Sequence, residues 1–246
     1  METYPNPKEQ AALAAAEKLM VETMARYDPS HDAFHVERVR KTALSLARSL
    51  SETKPDLLVV ELAALLHDVL DKKYVSPADA ADPYAYFLPF FESLTTDHGL
   101  DLVTDERARL IVRIVENVSW TTEKKLREMG KLEEWHTTCV ELHCVQDADR
   151  LDAIGAFGIM RCAAYSAAVN RPLHAPPGRL DTAVQHFYDK LLHIKDRLKT
   201  EPGKAMGAQR HQLMLQFLHS VQEEYSGKPS LAALSSSVLP STSVTA

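Results

Sequence analysis

His67-Asp68 closes a run of ten residues, LLVVELAALL, that is almost unbroken Leu, Val and Ala, so an imidazole and a carboxylate arrive together on what reads as a helix buried on most sides. Left unpaired in such a setting, a neutral polar group costs roughly 2–7 kcal/mol and a charge more. A divalent ion shared with ligands from other helices would satisfy both. Neutral imidazole nitrogen and carboxylate oxygen suit a borderline ion, and one ion, Mn, Co, Ni, Fe, Zn or Mg, is expected. His35 and Asp147 are the remaining candidate ligands. Each lies in a segment of helical pattern, and all-α bundles assemble metal sites from side chains projecting inward from several helices. One such histidine alone would read as a core residue; the order H…HD…D sets these four apart.

The elements that must position these groups read as helix after helix. Pro7 to Tyr27 is rich in strong helix formers, with Leu13, Ala16, Met20, Val21 and Met24 on one apolar stripe. After Asp28-Pro29-Ser30 the next helix begins on histidines, and Pro55-Asp56 opens the Leu57 helix. The prolines at 77, 83 and 89 mark an aromatic loop. Thr104 to Val118 reads as a helix opened by half a capping box, Glu123 to Gly130 as a short solvated one, and Leu132 to Ile154 as a long one carrying Asp147, Asp149 and Asp152. Small residues from Ala156 to Asn170 permit close helix packing, and two helices follow, Leu180–Lys199 and Lys204–Tyr225. No strand alternation or repeat is visible. The expectation is an all-α helical bundle, a single domain over residues 1–226, followed by a Ser/Thr-rich, low-charge tail, 227–246, expected to have little order.

Composition narrows the classes. A 246-residue chain with 45% hydrophobic and 25% charged residues can bury a substantial core, and a net charge of −6 gives no basic footprint for duplex nucleic acid. Three cysteines, Cys139, Cys144 and Cys162, form no CxxC pair, which fits reduced thiols. There is no leader-like N-terminal pattern and no stretch of 18 apolar residues, so a cytoplasmic protein that does not span a membrane is expected. GxxxxGK[ST], GxSxG and HExxH motifs are all missing.

The words SHDAFHVERV, LAALLHDVLDKKY, IVENVSW, VQDADRLDAIGAFGIMR, NRPLH and HFYDKLLHIKDRLKT occur in that order between Tyr27 and Tyr225. In them the chain resembles the HD-domain metal-dependent phosphohydrolase superfamily, and within it the stand-alone small hydrolases of bacteria and fungi. The resemblance implies an all-α fold with one divalent metal and matches His35, His67, Asp68 and Asp147 to its ligands. It places Asp71 and Lys73 at the substrate phosphate. His31, four residues before His35 and so on the same helix face, is the candidate proton donor to the leaving oxygen, with a place in the helix cap as the competing reading. Arg150 and Arg161 suit phosphate oxygens by their planar forks; beside Asp149 and Asp152, a structural ion pair is the competing reading.

The implied substrate is a nucleotide, either a monophosphate cut to nucleoside and phosphate or a triphosphate cut between its α and β phosphorus atoms. Phe34, Tyr74, Tyr84, Phe87, Trp120 and Tyr165 are candidates to stack a base, with a place in the core as the preferred reading for each. Two other readings compete. An HD-fold di-iron oxygenase would need further histidine ligands, for which His98, His136 and His143 are available; a non-catalytic nucleotide sensor would keep the pocket and lose the ligands. Oligomeric state is not legible.

Overall fold

The structure is a computed structural model that describes residues 4–25, 32–70, 81–176 and 180–227. His31, Asp71, Lys73, Tyr74 and the tail from residue 228 lie outside them. The helices are α1 (Pro7–Met24), α2 (Ala33–Ser49), α3 (Leu57–Leu66), α4 (Pro83–His98), α5 (Arg107–Asn117), α6 (Trp120–Glu128), α7 (Glu134–Thr138), α8 (Val140–Asp152), α9 (Gly155–Ala168), α10 (Ala183–Asp189) and α11 (Glu201–Ser226). A 3₁₀ helix, Leu191–Arg197, joins the last two, and no strand occurs among the described residues. None of their helices is long and apolar enough to cross a membrane.

The apolar run becomes the centre of the bundle. All of Leu58 to Leu66 is buried in α3, against which α1, α2, α5 and α8 pack. Asp56 caps the helix by accepting from the backbone N–H groups of Leu58 and Val59 at 3.0 and 3.2 Å. The acidic residue within it, Glu61, is 4% exposed and is neutralised by Arg40 at 2.7 Å, with the Tyr4 hydroxyl donating to its other oxygen at 2.5 Å. α1 and α2 start on side-chain caps as well: Asn6 with Glu9 forms a capping box, and Asp32 accepts from His35 N–H at 2.9 Å.

Several boundaries differ from the expectation for local reasons. The aromatic prolines do not mark a loop over 83–98. Pro83 sits in the first turn of α4, where its missing N–H costs nothing, Asp82 caps that turn, and exposed Pro89 is tolerated inside a helix that buries Phe87, Phe91 and Leu94. α5 begins three residues after Thr104, because Asp101 takes the Val103 and Thr104 N–H groups into a turn of its own. The long helix expected from Leu132 splits at Cys139, whose extended backbone ends α7 and starts α8. Gly155 interrupts as expected, with φ at +77°. The helix expected from Leu180 is α10 and the 3₁₀ segment. Cys139, Cys144 and Cys162 are all buried free thiols.

Candidate metal centre

His35 enters from the first turn of α2, and His67 and Asp68 lie one and two residues past the end of α3 rather than within it. The His67 ring turns back on that helix end, its Nδ1 donating to the Ala64 carbonyl at 2.8 Å, one of the acceptors a helix terminus leaves open. Its Nε2 therefore carries the lone pair. That atom is buried and makes no hydrogen bond among the described residues. His35 Nδ1 meets Asp152 Oδ2 at 2.7 Å, so its Nε2 faces inward, 3.5 Å from Asp68 Oδ2 and 3.6 Å from Asp149 Oδ1. His67 Nε2 is 3.4 Å from the same Asp68 oxygen. Distances of 3.4–3.6 Å are long for hydrogen bonds and fit atoms arranged about a common centre. Ligand atoms of His35, His67 and Asp68 all fall within 4.8 Å of one another. Both histidines thus have Nδ1 fixed by an acceptor and Nε2 turned inward, the outer-shell arrangement of metal-bound imidazoles. These residues fit a divalent ion.

Asp152 is the hub of that outer shell. Besides His35 it takes both arms of Arg38, at 2.7 and 3.0 Å, and Nη1 of Arg161 at 3.0 Å. Burial works against its charge, but His35 and Arg38 hold it well below the usual carboxylate range. Burial likewise opposes a charged His35, yet the hydrogen bond to Asp152 and the nearby Asp68 carboxylate outweigh it and carry the ring up to about 9 in the metal-free protein. Arg161 holds an ion pair to Asp152, the carboxylate that orients His35.

Two expected site residues lie elsewhere. Asp147 is not brought to the cluster. It points off the opposite side of α8, where its carboxylate accepts from Lys199 N–H at 2.9 Å and from the N–H and hydroxyl of Thr200, each at 2.8 Å, capping the approach to α11. Burial pushes its pKa up and those hydrogen bonds oppose the rise. Asp149 is the α8 carboxylate beside the cluster, its Oδ1 lying 3.6 Å from His35 Nε2. Arg150, 2% exposed, is structural: it is paired with Glu123 and donates to the Arg197 carbonyl at 2.7 Å. Sequence reasoning missed Asp149 and Asp152, though a signal was present. Leu142, Val145, Asp149 and Asp152 follow the 3-4-3 spacing of one helix stripe, whose first two members are core residues.

Two of the three histidines considered for a second metal, His136 and His143, are engaged with other partners. His136 lies 3.2 Å from Asn117 Oδ1 and accepts from Glu133 N–H, and His143 is 3.0 Å from the His136 carbonyl. Of the candidate base-stacking residues, Phe87 is in the core, Tyr84 lies under Arg109, and Phe34 is 68% exposed.

Comparison with known proteins agrees with this geometry. The family model described as HD domain matches residues 33–154, which run from the start of α2 to just past the end of α8. The chain is 34% identical over 202 residues to YpgQ of Bacillus subtilis, described as uncharacterized, covering 80% of this chain and 85% of that protein. A crystal structure of an HD-superfamily hydrolase from Bacillus thuringiensis superposes with a TM-score of 0.67 at 29% identity, over 89% of this chain and 100% of that one. YpgQ in complex with ADP superposes at 0.64 and 26%, over 88% and 96%. With its paired histidines, its HD dipeptide and the Asp149 carboxylate gathered by helices of the matched region, the chain belongs to the HD-domain superfamily of metal-dependent hydrolases.

Proposed function

We propose that this protein hydrolyses a nucleotide, releasing phosphate from a nucleoside monophosphate or pyrophosphate from a triphosphate, at one divalent ion held by His35, His67, Asp68 and Asp149. The observation that carries the reading is the convergence of two imidazole Nε2 atoms and two carboxylates, with both Nδ1 atoms already committed to acceptors. A bound divalent ion supplies Lewis-acid polarisation of a phosphoryl oxygen and a more acidic water. The protein's own residues do the rest. Asp152 orients the His35 ring; Arg161 offers positive charge at the edge of the cluster; Asp71 and Lys73, following the HD pair in sequence, orient the water and neutralise charge on the phosphoryl group; His31 protonates the leaving oxygen. The ADP complex of the YpgQ relative supports a nucleotide as the ligand class.

The test is a release assay. Purified protein loaded with Mn, Co, Ni, Fe, Zn or Mg is incubated with nucleoside 5′- and 3′-monophosphates and triphosphates, and phosphate and pyrophosphate are identified. Release of either from a nucleotide, lost in Asp68→Ala, is the expected result. Two irons per chain with oxygen consumption and no phosphate release would replace this reading by the oxygenase one.

A further inference from the structure

Of the seven phenylalanines, two are exposed, Phe34 at 68% and Phe157 at 46%, and Phe157 packs on Arg38. Phe34 precedes Arg38 by four residues on α2, which makes them neighbours on one helix face. The Phe157 ring lies 4.2 Å from the Arg38 guanidinium carbon, in the stacked geometry of a cation–π contact. Arg38 is fixed by its two hydrogen bonds to Asp152, and Asp152 is bonded to His35. Phe157 is therefore joined to the cluster by three close contacts in series. On α9 it also shares a face with Arg161, four residues on, which bonds the same Asp152 oxygen that meets His35. An aromatic ring left nearly half in water, braced from one side by a guanidinium and sharing a helix face with Arg161, suits a flat π surface attached to a phosphate.

We infer that Phe157, braced by Arg38, is the platform on which the base of the substrate stacks while its phosphates reach Arg161 and the His35, His67 and Asp68 cluster. This rests on the nucleotide reading above. Stacking is tolerant of base identity, because every base presents a π face, so the platform selects nucleotides over bare phosphates rather than one base over another.

Calorimetric titration of the full-length, manganese-loaded protein with ADP and, separately, with inorganic pyrophosphate tests it. Phe157→Ala is expected to weaken ADP about tenfold or more and leave pyrophosphate within about twofold of wild type, with Phe157→Trp retaining ADP affinity. Equal losses for both ligands, or no loss for ADP, would overturn the platform and leave the nucleotide reading standing. A wild-type protein that binds pyrophosphate but no ADP, or neither, would overturn that reading and the platform together.

Discussion

Thr200 donates to Asp147 twice, through its N–H and its hydroxyl, each at 2.8 Å, so α8 is tied to the start of α11 by a single buried carboxylate. Gly203 lies so close to that carboxylate that a side chain there would collide with it. Asp147→Ala strands these donors and is expected to cost about 3 kcal/mol, lowering the melting temperature by roughly 6–12 °C, with bound metal unchanged. Asp149→Ala should do the reverse, losing metal while the metal-free protein melts near wild type. Metal analysis beside thermal melts decides between them, and metal loss in Asp147→Ala alone would return Asp147 to the ligand set.

Asp152 orients His35 without reaching the ligand centre. Asp152→Asn keeps an acceptor but removes the charge that favours the ring's inward-facing tautomer, and should weaken metal binding by about 10–100-fold. Competition against a chelator of known affinity measures this. Unchanged affinity would show that His35 is positioned by packing alone.

The buried Glu123 carboxylate is shared by Arg127 at 2.8 Å, Arg150 and, at 3.6 Å, Lys199. Burial pushes its pKa up, but Arg150 and Lys199 overcome this and hold it down at about 2, against an ordinary 4.5. A carboxylate depressed in the folded state adds stability that is complete above its unfolded pKa and disappears as pH falls through the folded one. The contribution, about 3 kcal/mol, should therefore be present above pH ~4.5 and lost toward pH ~2. Urea midpoints measured across that range should slope steeply for wild type and much less for Glu123→Gln. Arg150→Met should destabilise the protein by several kcal/mol, about 3–5, and leave KM unaltered.

Lys73→Ala and Asp71→Asn test the reacting end of the proposed site. Each should retain metal and melting temperature while turnover drops by about 10²–10³, the usual effect of removing a group that stabilises developing charge. Near-normal turnover in both would place these residues outside the chemistry.

The apolar helix and the histidines were readable from sequence because burial of polar groups is a local contradiction: a ten-residue hydrophobic helix cannot end on His67-Asp68 without a reason. The second carboxylate was harder. Asp147, Asp149 and Asp152 share one helix, and which of them faces α2 is decided by how α8 rolls between α2 and α11, a tertiary fact that no motif word carries. Arg150 was open for the same reason; its charge suited phosphate and ion pair equally until Glu123, 27 residues away in sequence, proved to be its partner. Pro89 misled in the opposite direction, since burial of Phe87 and Phe91 outweighed a local helix breaker.

The three cysteines give this molecule a built-in reporter. They sit on or beside α8 and α9, the helices that carry Asp149, Asp152 and Arg161, and burial raises the thiol pKa to about 11 at Cys139, to about 12 at Cys144, and above its ordinary value at Cys162. A maleimide dye needs an accessible thiolate, so the closed fold should be nearly silent to it. The rate at which each sulfur is alkylated then becomes a clock for local opening. Since Cys144 is fully buried while Cys139 and Cys162 are 8% and 9% exposed, mass spectrometry of the labelled peptides would time the parting of these two helices at separate depths.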